Sequence, residues 1–221
     1  MSYFILSILL AFWFQYEFKR FPKQINLQTY RDFLSLYPLA LSENEFVKES
    51  NLQPSNNSNF GLLCIFFILS SILFTHQPIT LLLIVLCLIY LSLLDYCYYL
   101  TDIKYVGSIL ALSLLHLILY KPYFIQEGIS TLLVITGFFI LFHYITKWIF
   151  KKEVFGMGDI LLIISISPIF DLNEMLRILL ISSLLGILFN LLYFLRYQRK
   201  LEKLAFIPFI NLGYSILHII L

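Results

Sequence analysis

Residues 81–95 read LLLIVLCLIYLSLLD, a run that is apolar almost throughout and whose only carboxylate, Asp95, stands at its end. Similar runs recur along the 221-residue chain, which is 60% hydrophobic, only 13% charged, and has a mean hydropathy of +0.88. Soluble domains are far less apolar. Backbone amides cannot stay unpaired in hydrocarbon, and the runs lack the alternation of barrel strands, so we expect helices. The sequence predicts an all-α membrane protein, a polytopic helical bundle.

Eight apolar runs are candidate transmembrane helices, because about 17 to 25 apolar residues cross a bilayer and bundled helices are often shorter. The runs are Ser2–Gln15, Phe60–Thr75, Ile79–Leu94, Val106–Tyr120, Ile129–Phe150, Ile160–Phe170, Met175–Leu195 and Leu204–Leu221. The sixth is the shortest and contains Pro168, which would bend or end a helix. A re-entrant or buried segment is the alternative for that run.

The basic residues favour eight crossings. If alternate loops lie on one side, every Lys and Arg except Lys121 and Arg177 falls on that side. The positive-inside rule then predicts that both termini lie outside and that the odd loops are cytoplasmic. We divide the chain into a first transmembrane helix (1–15), a cytoplasmic loop (16–59) that ends in linker-like NLQPSNNSN, and a seven-helix core (60–221).

Several function classes lack the sequence features that they require. The net charge of +2 and the absence of a basic stripe argue against nucleic-acid binding. The four histidines form no HExxH motif, and no CxxC pair exists among Cys64, Cys87 and Cys97, which we interpret as packing residues. We therefore expect no metal site.

Two acidic sites fall at the same predicted membrane face. Asp95 ends its apolar run, with Asp102 seven residues on, and Asp159 ends the stretch FGMGD (155–159) just before the sixth run. Taken singly, such residues are most simply solvated at the interface. Gly156 and Gly158 change that interpretation, because glycine beside a helix costs about 1 kcal/mol relative to alanine. Glycines there would let a backbone, such as that of an extended substrate, approach closely.

A pair of aspartates can hydrolyse a peptide bond. With separated pKa values, one ionised carboxylate activates a water and one protonated carboxyl protonates the leaving amine. Neither metal nor cofactor is needed. The predicted topology makes it feasible for Asp95 and Asp159 to meet, with Asp102 as the alternative acid.

These residues resemble the prepilin peptidases, or type IV leader peptidases, a family of membrane aspartic proteases. Gly156-Met157-Gly158-Asp159 matches the family's GxGD motif, which carries the second catalytic Asp. The family's first catalytic Asp ends an apolar run about sixty residues upstream of the second, and here Asp95 lies 64 residues before Asp159. By resemblance, Asp95 and Asp159 are catalytic.

The resemblance extends toward both ends of the chain. AFIPFINLGYSI (Ala205–Ile216) is similar to a Pro-Phe-rich stretch near the family's C-terminus, and FWFQYEFKRFP (Phe12–Pro22) to the segment after its first helix. Many members carry a Pro-Asp or Pro-Asn step after the first catalytic Asp, whereas here Asp102 precedes Ile103.

The resemblance implies a substrate and a location. Members cleave, just after a glycine, precursors with a short basic leader in the cytoplasm and an apolar helix in the bilayer. We therefore expect prepilin-like substrates, a multi-pass position in a bacterial cell membrane, and an active site at the cytoplasmic face. The short chain most resembles the competence-type peptidases of low-GC Gram-positive bacteria.

The loop at 16–59 departs from the bifunctional members of the family. Those members hold zinc with paired CxxC motifs in this loop and methylate the new N-terminus with S-adenosylmethionine. This loop has no cysteine, which excludes a zinc site of that type. S-adenosylmethionine is expected only if methyltransferase activity persists without the motif.

A transporter, or a pilus or competence assembly protein, is the alternative from another class. In either, the Asp pair would be an ion or proton site, and acids nearer the bilayer midplane would be expected. Asp95 and Asp159 stand at the ends of their runs, which favours the protease.

Overall fold

The computed structural model describes residues 2–36, 42–54, 60–151, 155–199 and 203–220. Within these ranges the chain forms helices and no β-strand, which confirms the predicted all-α fold. The helices are α1 (Ser2–Leu36), α2 (Glu43–Glu49), α3 (Phe60–Leu73), α4 (Ile79–Tyr98), α5 (Ile103–Tyr120), α6 (Ile125–Phe150), α7 (Met157–Ile166), α8 (Leu172–Tyr197) and α9 (Ile207–Ile220). Single 3-10 turns lie at Pro122–Phe124 and Ser167–Ile169.

Four of these helices are long and apolar enough to cross a membrane: α4, α5, α6 with the turn before it, and α8. Shorter apolar segments lie at Leu63–Leu73, Met157–Ile169 and Ile207–Leu217. The structure thus bears out a polytopic helical architecture with four candidate spans. The count of eight crossings and the orientation of the termini stay predictions.

Two compact units make up the chain, residues 1–69 and 70–221. In the first unit α1 continues without a break to Leu36, whereas the sequence predicts a loop from Tyr16 onward. Residues 16–36 contain no glycine and a single proline, Pro22, so little in their composition opposes a helix. Asn26 of α1 donates a hydrogen bond to the carbonyl of Leu52 (2.8 Å), which ties the predicted loop back onto the helix. Residues 55–59 of the predicted linker lie outside the described residues.

Helix α4 is the centre of the second unit. It packs against α5 and α9, while α5 also contacts α7, and α9 also contacts α8. Side chains all around α4 are buried, as expected for a helix that is apolar on every side, including Leu82, Leu86, Leu88, Leu91 and Leu94. The apolar run 81–95 is therefore the core of the second unit.

The sixth apolar run is a short buried helix. Helix α7 has ten residues and ends at Ile166. Pro168 lies in the 3-10 turn that follows, so the helix ends before the proline, as the sequence predicts. Ten residues rise about 15 Å, half the thickness of the hydrocarbon core. Ile160, Leu162 and Ile163 are buried, so α7 is an internal element packed on α5.

Close packing joins α8 to α9 at a glycine. A Cβ atom added to Gly213 would lie 3.0 Å from the carbonyl oxygen of Ile178 on α8. Gly137 in α6 has no atom within 4 Å of the same position. The two glycines therefore differ in what they contribute, although both lie inside apolar helices.

Gly213→Ala should destabilise the protein by about 1–3 kcal/mol, because the added methyl group overpacks the contact between α8 and α9. The control Gly137→Ala should be neutral or stabilising by up to about 1 kcal/mol, since alanine is the better helix former. Thermal unfolding in detergent measures both. Equal melting temperatures for the two variants would contradict this packing.

Candidate active site

Asp95 lies in the last turn of α4 and is only 7% exposed. A carboxylate near a helix C-terminus faces the negative end of that helix's dipole, and burial removes water as a hydrogen-bond donor. The compensating donor comes from elsewhere in the unit. The backbone amide of Ile207, the first residue of α9, donates to Asp95 Oδ2 at 3.0 Å. The positive end of α9 therefore stabilises Asp95 and ties α9 to the end of α4.

Asp159 approaches Asp95 from a different helix. It stands in the first turn of α7, where the helix dipole stabilises a carboxylate. The two carboxyl groups are close enough to interact electrostatically, and both line one open cavity of about 250 Å³. The structure thus brings together two side chains that are 64 residues apart in sequence.

Neither glycine of the FGMGD stretch has room for a Cβ atom. A Cβ atom at Gly156 would lie 2.9 Å from Asp159 Oδ2, so this glycine leaves room for the carboxyl group. A Cβ atom at Gly158 would lie 2.7 Å from Cβ of Thr101 and would collide with its hydroxyl. Gly158 is therefore needed for the close fit of α7 against the turn between α4 and α5, and Gly156 for the space that the Asp159 carboxyl group occupies. Their contact with a substrate backbone stays a prediction.

Asp102, the alternative acid, is placed differently from the other two. Its side chain caps the N-terminus of α5 by accepting a hydrogen bond from the amide of Lys104 at 3.0 Å. The cavity lining contains its neighbours Thr101 and Ile103 but not Asp102 itself. Capping of this kind contributes about 0.5–2 kcal/mol to stability. The geometry gives Asp102 a structural task and leaves Asp95 beside Asp159.

Aromatic contacts connect the elements that carry the two acids. Phe155, the first residue of FGMGD, packs edge-on against Phe206 with ring centroids 5.3 Å apart, and against Phe139 of α6 at 6.0 Å. Phe206 directly precedes Ile207, whose amide binds Asp95. The same cluster therefore positions the entrance to α7 and the start of α9.

Three features of the site are absent from the sequence prediction. These are the Thr101 side chain against Gly158, the amide of Ile207, and Tyr99, which ends α4 with a left-handed backbone (φ 54°) and lines the cavity. Of these, only the Ile207 amide was indicated by the sequence. Ile207 lies in AFIPFINLGYSI (Ala205–Ile216), which resembles a family segment but for which the sequence predicts no role. In the described parts of the chain, no three side chains among His, Cys, Asp and Glu come together as a metal site.

Gly158→Ala should destabilise the protein by about 1–3 kcal/mol, because the new methyl group collides with Thr101. Adding Thr101→Gly should restore most of that loss, since it removes the colliding side chain; thermal unfolding of both single variants and the pair measures the coupling. Gly107→Ala, at a glycine with nothing within 4 Å, is the control. Additive effects of the two substitutions would contradict the contact.

Comparison with known proteins identifies a family that matches the segment carrying Asp95 and Asp159. The model of the type IV leader peptidase family matches residues 82–191, a segment that contains both Asp95 and Asp159. A curated relative, the prepilin leader peptidase/N-methyltransferase of Haemophilus influenzae, is 34% identical over 87 residues. That alignment covers 38% of this chain and 36% of the relative. No solved structure matches the chain.

The family match and the sequence resemblance point the same way. The matched segment begins inside α4, ends inside α8, and contains the whole of α5, α6 and α7 between them. The chain is therefore a member of the type IV leader peptidase family.

Proposed function

We propose that this chain is a membrane aspartic endopeptidase that removes the leader from type IV prepilin-like precursors at the cytoplasmic membrane face. The observation that carries the proposal is the meeting of Asp95 and Asp159 in one cavity. Each acid has its own helix terminus nearby, α9 for Asp95 and α7 for Asp159. Family membership supports the choice of reaction.

A water molecule between the two carboxyl groups supplies the nucleophile. Two carboxyl groups this close disfavour double ionisation, so one proton is held by the pair. The ionised carboxylate accepts a proton from the water while the water oxygen attacks the scissile carbonyl carbon. The protonated member donates its proton toward the amide, whose C–N bond breaks as the amine leaves. Peptide and water are consumed, and one carboxylic acid and one amine are formed.

The position of the acids favours the protease over the transporter or assembly protein. Asp95 is three residues from the end of α4 and Asp159 is the third residue of α7, so both lie at helix ends. The cavity between them is open, as a site for a peptide bond requires. An ion site near the bilayer midplane would need acids deeper in the spans.

The substrate class and location follow from the family and from the charge pattern. Prepilin-like precursors and a bacterial cell membrane are the setting that we propose, with a competence-type Gram-positive system as the closest biological match. The distribution of basic residues supports a cytoplasmic position for the end of α4 and the start of α7. The relative's name includes N-methyltransferase; we propose peptidase activity alone for this chain, because its loop at 16–59 has no cysteine.

Asp95→Asn and Asp159→Asn should each abolish cleavage, because an amide can neither accept the water's proton nor deliver one. Asp102→Asn should keep cleavage, since asparagine also caps helices well. The assay is the gel shift of a co-expressed prepilin-type precursor from a Gram-positive competence system. Asp171→Asn, at the N-cap of α8, is a matched control. Loss of cleavage in Asp102→Asn with retention in Asp95→Asn would move the site and overturn this assignment.

Cleavage by the purified protein should persist in EDTA and without added S-adenosylmethionine, because the two carboxyl groups and water complete the reaction. The measurement is the initial cleavage rate before and after dialysis against the chelator. A large loss of rate that added divalent metal restores would contradict the two-aspartate mechanism.

A further inference from the structure

A second, larger cavity opens beside the site in the same unit. It has a volume of about 600 Å³ and is formed by the end of α4, the last turns of α8 and the first turns of α9. We call it the aromatic groove, and its lining includes Tyr96, Tyr99, Phe189, Tyr193, Phe209 and Leu212. Phe189 and Phe209 are in contact across it, with ring centroids 5.6 Å apart.

The aromatic groove adjoins the cavity that holds the two acids. Tyr99, whose left-handed backbone ends α4, lines both cavities. A non-glycine residue with positive φ is uncommon and marks a position at which tertiary structure has fixed the backbone. A peptide lying across Asp95 and Asp159 could therefore continue past Tyr99 into the groove.

The acid-lined cavity is small for a protein substrate. Pockets that hold a whole ligand measure about 300–1,000 Å³. The cavity of about 250 Å³ around the acids has room for the residues at the scissile bond and little else. Most of the binding energy for a protein substrate must then come from surface beyond it, and the aromatic groove is the adjoining space of the right volume.

The chemistry of the groove selects one side of the substrate. Its walls are mostly aromatic and aliphatic side chains, and among the residues that the structure describes the charged group in the lining is the exposed Lys203. A basic peptide would be repelled by that ammonium group and would lose hydration against the apolar walls. An apolar segment can pack against these walls by van der Waals contact, and it has no charged group that must lose hydration there.

We propose that the aromatic groove binds the apolar, membrane-inserted side of the precursor, immediately beyond the scissile bond. This proposal rests on the proposed function, because it assumes that the peptide is cleaved between Asp95 and Asp159. Tyr99 is the boundary between the cleavage site and the groove. The groove thus selects an apolar sequence after the cut, while the acids select only a peptide bond.

Leu212→Trp tests the proposal by narrowing the groove. Leu212 is 50% exposed and lies five residues beyond Ile207 on α9; Leu176 on α8, 52% exposed and outside the groove lining, gives the matched control Leu176→Trp. Leu212→Trp should raise KM about tenfold, the size of one lost apolar contact, and leave kcat nearly unchanged. Leu176→Trp should change neither.

A second precursor makes the test specific for the substrate. In this precursor the apolar residues after the cleavage site are replaced by serine and asparagine. Wild-type protein should cleave it with a raised KM, and Leu212→Trp should add no further loss, because the contact is already missing. If Leu212→Trp raised KM equally for both precursors, the proposal would be overturned. That result would indicate that a lipid acyl chain, or no substrate, occupies the groove.

Photo-crosslinking gives a readout that needs no catalysis. A precursor that carries a photoreactive benzoyl group just after its cleavage site is mixed with the Asp159→Asn protein and irradiated. Adducts on peptides that contain Tyr193 or Leu212 support the proposal, and adducts confined to other helices overturn it. If wild-type protein cleaves the precursor while the adducts fall elsewhere, only this inference fails. If wild-type protein cleaves no precursor, the proposed function itself fails.

Discussion

The hydrogen bond from the Ile207 amide to Asp95 is the interaction on which the site depends. Asp95 is a buried acid in the last turn of an apolar helix, where both desolvation and the dipole of α4 oppose its charge. The N-terminus of α9 offsets both effects, because its amide donates a hydrogen bond to the desolvated carboxylate and its positive dipole end opposes the negative end of α4. Without that contact, the buried Asp95 carboxylate would lose the Ile207 donor and the favourable end of the α9 dipole.

The same contact organises the surrounding helices. Because α9 must begin at Asp95, Phe206 is held where it packs on Phe155, and Phe155 leads directly into the glycines before Asp159. The close fit of Gly158 against Thr101 then sets α7 against the turn after α4. One chain of contacts therefore links both acids. The aromatic groove is formed by the same start of α9 and the same end of α4.

Sequence reasoning predicted the helical fold, the pair of acids and the break at Pro168, because each depends on local chemistry. Apolar runs must be helical in hydrocarbon, and Pro168 has no backbone N–H to continue the hydrogen bonding of α7. It missed Thr101, since the residue that fills the space above a glycine is set by packing between distant segments. It also ended the first helix at Gln15, whereas α1 continues to Leu36, because polarity indicates where water begins and not where a helix ends.

The sequence by itself determined the membrane class, the GxGD motif and the two candidate acids, because composition and short-range spacing carry that information. Only the tertiary structure decided which acid faces Asp159. Asp95 and Asp102 stand seven residues apart on either side of one turn, and each could serve by sequence alone. The fold uses Asp102 to cap α5 and turns Asp95 into the cavity, where the amide of α9 holds it. That choice depends on where α9, more than one hundred residues later, places its first amide.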